Sequence, residues 1–426
     1  MMRVLVVGGG GREHTLVWKL SQSPQVEKIY CAPGNAGIAP LAECIPIGAE
    51  EVEKLQAFAR EKEIHLTVVG PEAPLMEGIT DRFRENGQLI FGPCRKGALL
   101  EGSKAWAKRF MTRYGIPTGE YEIFTSPGDA YTYLERCSFP LVVKADGLAA
   151  GKGVIITESL EEARRAVHYI MEEKAFGSAG DSIIIEEFLE GEEVSVFAVT
   201  DGSTYLAFPS AQDHKPIYDG DRGPNTGGMG AYSPAPVLTA EMYKEVEEKI
   251  FKPVVRGMQE EGITYRGVIY GGLIVTAKGI KALEYNARFG DPEAQVLLPR
   301  LQSDLFPILY EASRGNLAAV PEPQWTDDVV VCVVMASAGY PGSYEKGKEI
   351  SGWEKVPAME NAIVFHAGTA LKNGKIVTNG GRVLGVTAWD PSLKAALDKA
   401  YSITELVTFE GAYFRRDIAH RALGRM

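Results

Sequence analysis

Glu284, Asn286 and Arg288 fall at alternate positions of the run Leu283-Glu284-Tyr285-Asn286-Ala287-Arg288-Phe289. Residues 273–276, the turn Lys278-Gly279 and residues 280–286 read as a β-hairpin. On a strand, side chains two apart share a face. Glu284 and Asn286 therefore point together, and Arg288 joins them if the strand persists. A carboxylate and an amide are oxygen donors suited to Mg²⁺ bridged to phosphates. An arginine beside them can neutralise charge on a transferring phosphoryl group. An exposed hairpin face is the bland alternative. It accounts for Glu or Asn alone but poorly for all three beside Gly290-Asp291-Pro292-Glu293.

Residues 144–154 carry Lys144 and Lys152 among Gly147, Gly151 and Gly153. This is not a P-loop: the glycine spacing is one residue short, and no Ser or Thr follows Lys152. The context is strand–loop–strand. A glycine-rich hairpin with lysine can cover a polyphosphate with backbone donors and a point charge; the alternative is a plain β-turn. Further on, an apolar run at 183–185 ends in Glu186-Glu187-Phe188-Leu189-Glu190. Exposed backbone there could read an adenine edge, and a carboxylate could hold a ribose; taken alone, it is a charged strand end. The stretches Gln212-Asp213-His214-Lys215 and 219–230 are polar and dense in glycine. Long loops of this kind are functional or mobile.

Gly8–Gly11 invites a dinucleotide reading that fails. The GxGxxG spacing needs glycine where Glu13 stands, and the second strand ends in Ala32-Pro33-Gly34-Asn35 without an acid for a ribose hydroxyl. Two readings remain: a tight turn, or a phosphate or ribose site built on backbone amides at a helix start.

The elements that must position these residues follow from periodicity. In the first hundred residues, short apolar runs (4–7, 29–32, 64–69, 89–91) alternate with amphipathic stretches, one of them at 51–62. That pattern predicts a parallel sheet covered on both faces. Ligands on such sheets gather at the carboxyl ends of the strands, here 8–12, 33–37 and 70–74. A helix around Lys104, Trp106 and Phe110 leads to a boundary at Gly115-Ile116-Pro117. A smaller α/β unit follows, with strands at 141–144, 153–157 and 182–187 and helices near 128–136 and 160–172. A mixed region then runs to a second boundary at Pro321-Glu322-Pro323. The tail has short strands at 329–335, 362–367 and 383–389 and a helix near 392–406.

The 426 residues allow about two to four domains. A net charge of −11 disfavours a general nucleic-acid surface. The five cysteines are odd in number and lack CxxC spacing, which argues against a disulfide framework or a thiolate zinc site. No apolar run approaches the roughly 20 residues of a membrane span. The start, MMRVLVVGGGG, is too short and glycine-rich for a signal peptide. The expectation is a cytoplasmic protein with no membrane or nucleic-acid partner.

Taken in order, Lys104, Lys144, the loop 151–153, the segment 186–189 and the Glu284/Asn286 strand resemble the ATP-grasp superfamily. The strings GGGGREH (8–14), PGNAG (33–37), VVGPEAPL (68–75), QDHK (212–215), GPNTGGMGAYSP (223–234) and EYNARFGDPE (284–293) resemble the phosphoribosylamine–glycine ligase family. The resemblance covers essentially the whole chain, and QDHK and GPNTGGMG are its most specific parts. It implies an α/β fold, α+β in parts. The parts would be an N-terminal parallel-sheet domain (1–100), a linking helix of the central domain (101–117), a lid (118–190), a central ATP-grasp domain (191–324) and a small β-rich C-terminal domain (325–426).

The implied reaction is ATP-dependent ligation of glycine to 5-phosphoribosylamine through glycyl phosphate, giving glycinamide ribonucleotide, ADP and phosphate. The alternative is another ATP-grasp carboxylate–amine ligase. Carried over residue by residue, Lys104, Lys144, Lys152 and Gly153 would serve the ATP phosphates. Glu186, Glu187 and Leu189 would hold adenine, and Glu193 the ribose. Glu284 and Asn286 would bind Mg²⁺, or Mn²⁺. Arg288 would steady the transferred phosphoryl group. Asp213, Lys215 and Asp291 would position glycine and the amine. Gly10, Arg12, Glu13 and Asn35 would meet the phosphoribosyl end. A monomer or weak dimer is expected.

Overall fold

The structure is a computed structural model that describes residues 1–148 and 153–426. Its first sheet is parallel and five-stranded, in the order Glu43–Cys44, Val26–Pro33, Met2–Gly8, Leu66–Val69, Ile90–Phe91. Val4 to Val7 are fully buried, as expected of a strand covered on both faces. The helices Gly11–Leu20 and Val52–Glu61 supply apolar faces. Gly8 turns the chain out of its strand at φ +122°, where a side chain would be strained and would meet Glu13.

The second sheet is antiparallel and four-stranded: Tyr121–Phe124, Ile183–Glu187, Leu141–Ala145, Val154–Thr157. It packs on the helices Pro127–Leu134 and Leu160–Val167. Its apolar core is its own, built around Val143, Ala163, Val167, Ile183 and Ile185.

The third sheet has eight antiparallel strands. Their order is Gly279–Asn286, Gly267–Thr276, Glu192–Thr200, Tyr205–Asp213, Gly230–Ser233, Val329–Ala336, Arg382–Asp390, Ala362–His366. The strands beyond residue 325 therefore continue the central sheet across the Pro321-Glu322-Pro323 connection. Without Val329–Ala336, the strand Gly230–Ser233 would present an open edge of unpaired donors and acceptors. The helix Leu393–Leu406 covers the far end. Among the described residues, no helix is long and apolar enough to cross a membrane.

Candidate active site

The hairpin expected from the sequence is present. Glu284 lies opposite Gly272 and Asn286 opposite Tyr270, with a register shift between them and Ala282. A Cβ on Gly272 would come within 3.2 Å of the Glu284 Cγ, so glycine leaves that carboxylate its space. Around Glu284 stand three lysines. Lys215 Nζ is 3.7 Å from Glu284 Oε1 and 2.9 Å from Glu193 Oε2. Lys104 Nζ donates to Gly147 O at 2.8 Å. Burial opposes ionisation of Glu284, but Lys215, Lys144, Lys104 and Arg288 outweigh it and hold the carboxyl below its usual range. Likewise Glu193, Asp213 and Glu284 hold Lys215 well above its usual value against burial. Lys104 is lowered, by burial first and then by Lys144, with Glu284 opposing. An ionised carboxylate beside an amide oxygen is a suitable donor pair for a hard divalent cation that keeps phosphate and water oxygens as its other ligands.

The expected strand stops at Asn286, so Arg288 does not reach the site by alternation. Two carboxylates bring it there instead. Its NH2 donates to Glu101 at 2.7 Å and to Asn286 Oδ1 at 3.2 Å, and its Nε donates to Glu72 at 3.3 Å. Against the cost of burial, Glu101 and Glu72 keep the guanidinium more firmly charged than usual.

A second cluster lies beneath the lysines. Glu186 Oε2 accepts ion pairs from both Lys144 and Lys108 at 3.0 Å, with all three side chains almost completely buried. Lys108 also donates to Thr118 Oγ1 at 2.7 Å. Burial and Lys144 lower the Lys108 ammonium, and Glu186 opposes them. Glu186 Oε1 is buried with no hydrogen-bond partner among the described residues. The sequence reading missed Lys108, although it lies four residues after Lys104 and hence on the same helix face. Glu187 Oε1 meets Lys281 at 2.6 Å. Leu189 lies against Gly119.

Asp213 ends the strand Tyr205–Asp213 and is buried, yet among the described residues no donor reaches its carboxyl. Burial raises its pKa to about 7, Glu293 and Glu193 add to this, and Lys215 opposes it. Beside it, Tyr270 Oη donates to Glu293 at 2.5 Å and meets Ser195 Oγ at 3.0 Å. Neither Tyr270 nor Ser195 was singled out from the sequence.

Asp291 joins three parts of the chain. Its Oδ2 accepts from Arg12 N at 3.1 Å, and its Oδ1 accepts from Gln295 at 2.8 Å and lies 3.5 Å from Arg382 NH1. Burial opposes ionisation, but Arg382 and Arg12 hold Asp291 below its usual value. Glu13 accepts from Gly10 N and Arg12 Nε, each at 2.6 Å. Asn35 donates to Gly9 O and His366 O and accepts from Gly37 N and Ile38 N. The Glu13 and Asn35 side chains thus build the two loops at the sheet's carboxyl end. Gly153 O accepts from Ala145 N at the root of the glycine-rich loop. Lys152 lies outside the described residues. A cavity of about 880 Å³ lies between Val154 and residues 217–218, 224–225, 337–342 and 411–413, and its lining includes no charged side chain.

Comparison with known proteins gives a consistent result. The models for phosphoribosylglycinamide synthetase match over residues 2–101 (N domain), 102–294 (ATP-grasp domain) and 330–421 (C domain). The phosphoribosylamine–glycine ligase of Caldanaerobacter subterraneus is 51% identical over 418 residues, covering 98% of this chain and 99% of that protein. The crystal structure of the Thermotoga maritima phosphoribosylamine–glycine ligase superposes with a TM-score of 0.86 at 37% identity. It covers 98% of this chain and all of that one. The biotin carboxylase domain of a Hydrogenobacter thermophilus 2-oxoglutarate carboxylase, solved with MgADP and bicarbonate, is 18% identical with a TM-score of 0.76. It covers 97% of this chain and 91% of that one, and shares the fold alone.

Proposed function

The chain belongs to the phosphoribosylglycinamide synthetase family and is an ATP-dependent ligase joining glycine to phosphoribosylamine, and we propose that the groups around Glu284 carry out the reaction. The observation that carries this reading is Glu284 beside Asn286 on the strand Gly279–Asn286, with Lys215 Nζ 3.7 Å from the carboxylate and Arg288 hydrogen-bonded to Asn286 Oδ1.

A free carboxylate is a poor acyl donor because its leaving group would be oxide. In the first step a glycine carboxylate oxygen attacks the γ-phosphorus of ATP, and the bond to ADP breaks. In the second, the amine lone pair attacks the acyl carbon, the bond to phosphate breaks, and the amine gives up a proton. No protein nucleophile is needed, so the work is positioning and charge stabilisation. Lys104, Lys144 and Lys152 hold phosphate oxygens, and Arg288 meets the charge on the transferred group. Glu284 and Asn286 would hold the divalent metal, Mg²⁺ with Mn²⁺ as a substitute, and when bound it would neutralise phosphate charge. The unpartnered Glu186 Oε1 suits the amino group of adenine. Backbone at Glu187 and Leu189 flanks the ring, and Glu193 faces the ribose. Gly10, Arg12, Glu13 and Asn35 frame the phosphoribosyl end against Asp291. Lys215 orients the glycine carboxylate, and Asp213 takes the amine proton. The protein acts as a monomer or weak dimer in the cytoplasm.

The test is ADP release with ATP, Mg²⁺, glycine and freshly generated phosphoribosylamine, against omission of each. Full turnover without glycine, or with another carboxylate preferred, would point to a different ATP-grasp ligase.

The Asp213 assignment carries a pH signature. A base must be deprotonated, so turnover rises with pH through about 7. Asp213→Asn removes that limb as well as most of the rate. The stability effect runs the other way. The folded carboxyl binds its proton more tightly than the unfolded one, so this stabilisation is full below the unfolded value of 3.8 and is lost as pH rises through about 7. Asp213→Asn, which cannot ionise, should therefore gain stability over the parent on the alkaline side. A pH–rate profile unchanged in the variant would remove Asp213 from the mechanism.

A further inference from the structure

His214 sits between two residues assigned to the chemistry, and it points away from them. Side chains alternate along an extended chain, so Asp213 and Lys215 face the site while His214, fully buried, faces the C-terminal segment. Its backbone is pinned on both sides, by His214 N to Gly230 O at 3.0 Å and Met229 N to His214 O at 2.8 Å. Its ring Nε2 accepts from Ala419 N at 2.9 Å. Burial, aided by Arg421 and Arg415, lowers the imidazole to about 4 despite Asp221, so the ring is neutral at pH 7. A neutral ring that accepts at Nε2 carries its proton on Nδ1. His214 Nδ1 lies 3.8 Å from Asp221 Oδ1, a charge–dipole contact too long for a hydrogen bond, and has no hydrogen-bond partner among the described residues.

Asp221 is fixed in turn by the tail. Its Oδ1 meets Arg415 NH2 at 3.0 Å, and its Oδ2 meets Arg421 NH2 at 2.7 Å. Arg415 is completely buried. Its remaining nitrogens reach Pro216 O at 3.0 Å and Asp417 at 2.8 Å, and Asp417 accepts from Gly220 N at 2.8 Å. Arg416 N donates to Asp219 at 2.9 Å. The turn after Lys215 is thus gripped through several of its residues, and Asp221 is held at φ +54°. The tail thus grips the chain on both sides of Lys215: Ala419 N holds the His214 ring before it, and Arg415 holds the Pro216 carbonyl after it.

We propose that Arg415, acting through the Pro216 carbonyl and through Asp221 beside the His214 ring, is a positioning residue of the active site: it fixes the backbone from which Asp213 and Lys215 reach the reacting groups. The proposal rests on the roles given to Asp213 and Lys215 above. A misplacement of about 1 Å remote from the chemistry can cost on the order of 10²-fold in rate.

The experiment uses the full chain with Asp221→Asn, which removes one charge at constant shape, and Arg415→Lys, which keeps the charge but loses the fork. Turnover, KM for ATP, KM for the amine and melting temperature are measured well below the melting transition. The expected result is a fall in kcat of about tenfold or more in Asp221→Asn, a smaller fall in Arg415→Lys, and KM for ATP within about twofold of the parent. In an Asp213→Asn background the additional loss from Asp221→Asn should shrink, because the two changes act on one group. Lower melting temperature with kcat unchanged would make the cluster a stabilising brace and overturn the proposal. So would full additivity with Asp213→Asn. If Arg415→Lys does not fold, Asp221→Asn and His214→Gln decide by the same criteria. If Asp213→Asn alone leaves kcat intact, the assignment of Asp213 fails, and a kcat loss in Asp221→Asn would then separate the two failures.

Discussion

Glu284→Ala and Asn286→Ala should each lower metal-dependent turnover by about 10²-fold or more, the loss typical of removing one preorganised charge-stabilising group, with little change in melting temperature. The asymmetry follows from the surroundings of each side chain. Glu284 is only partly buried and lies among cations that have other partners: Lys215 keeps Glu193 and Lys104 keeps Gly147 O. Removing the carboxylate therefore strands no fully buried charge. Asn286 gives up one bond to Arg288, which keeps Glu101 and Glu72. Turnover across a Mg²⁺ titration, read beside thermal unfolding, makes the check. The deficit should be partly relieved by excess metal, since weakened binding contributes to it. Near-parental turnover in both variants would mean that the metal is held elsewhere.

Glu186→Ala should act on stability as strongly as the first pair acts on rate. It removes the shared partner of Lys108 and Lys144, leaving two buried ammonium groups close together. Breaking a buried ion pair from one side costs about 3–5 kcal/mol, because the remaining charge is uncompensated. The deficit should depend on pH in a defined sense. Lys108 is already lowered by burial and by Lys144, and losing Glu186 lowers it further. A base with a depressed folded pKa binds fewer protons when folded, so stability rises with pH. The variant should recover part of its loss as the solution approaches the unfolded lysine value of 10.5. Denaturant unfolding near neutrality and at alkaline pH tests both statements. A variant that unfolds like the parent at neutral pH would show that the triad contributes nothing net.

These expectations draw unequally on what could be read along the chain. The hairpin and the shared face of Glu284 and Asn286 were legible because a strand repeats every two residues. The parallel sheet was legible because strands buried on both faces become unbroken apolar runs such as Val4 to Val7. Lys108 could have been found from its helical spacing to Lys104. Asn35 was expected at the phosphoribosyl end from the resemblance, but the commitment of its side chain to four backbone groups could not be seen.

By itself, then, the sequence determined which side chains share a face of one element, where the chain must turn, and through its specific strings the family and the reaction. Only the tertiary structure decided which faces meet. It ended the strand at Asn286 and used Glu72 and Glu101, from far earlier in the chain, to bring Arg288 back. It set Glu186 between two lysines from different elements, and joined the strand Val329–Ala336 to the central sheet. It also laid Arg415 and Arg421 against Asp221, some two hundred residues away, at separations of 194 and 200. The physical reason is that periodicity is set by local backbone geometry, whereas the pairing of distant elements is set by burying their apolar faces together while leaving each buried charge a partner. That balance is a property of the whole chain, and no local window of residues contains it.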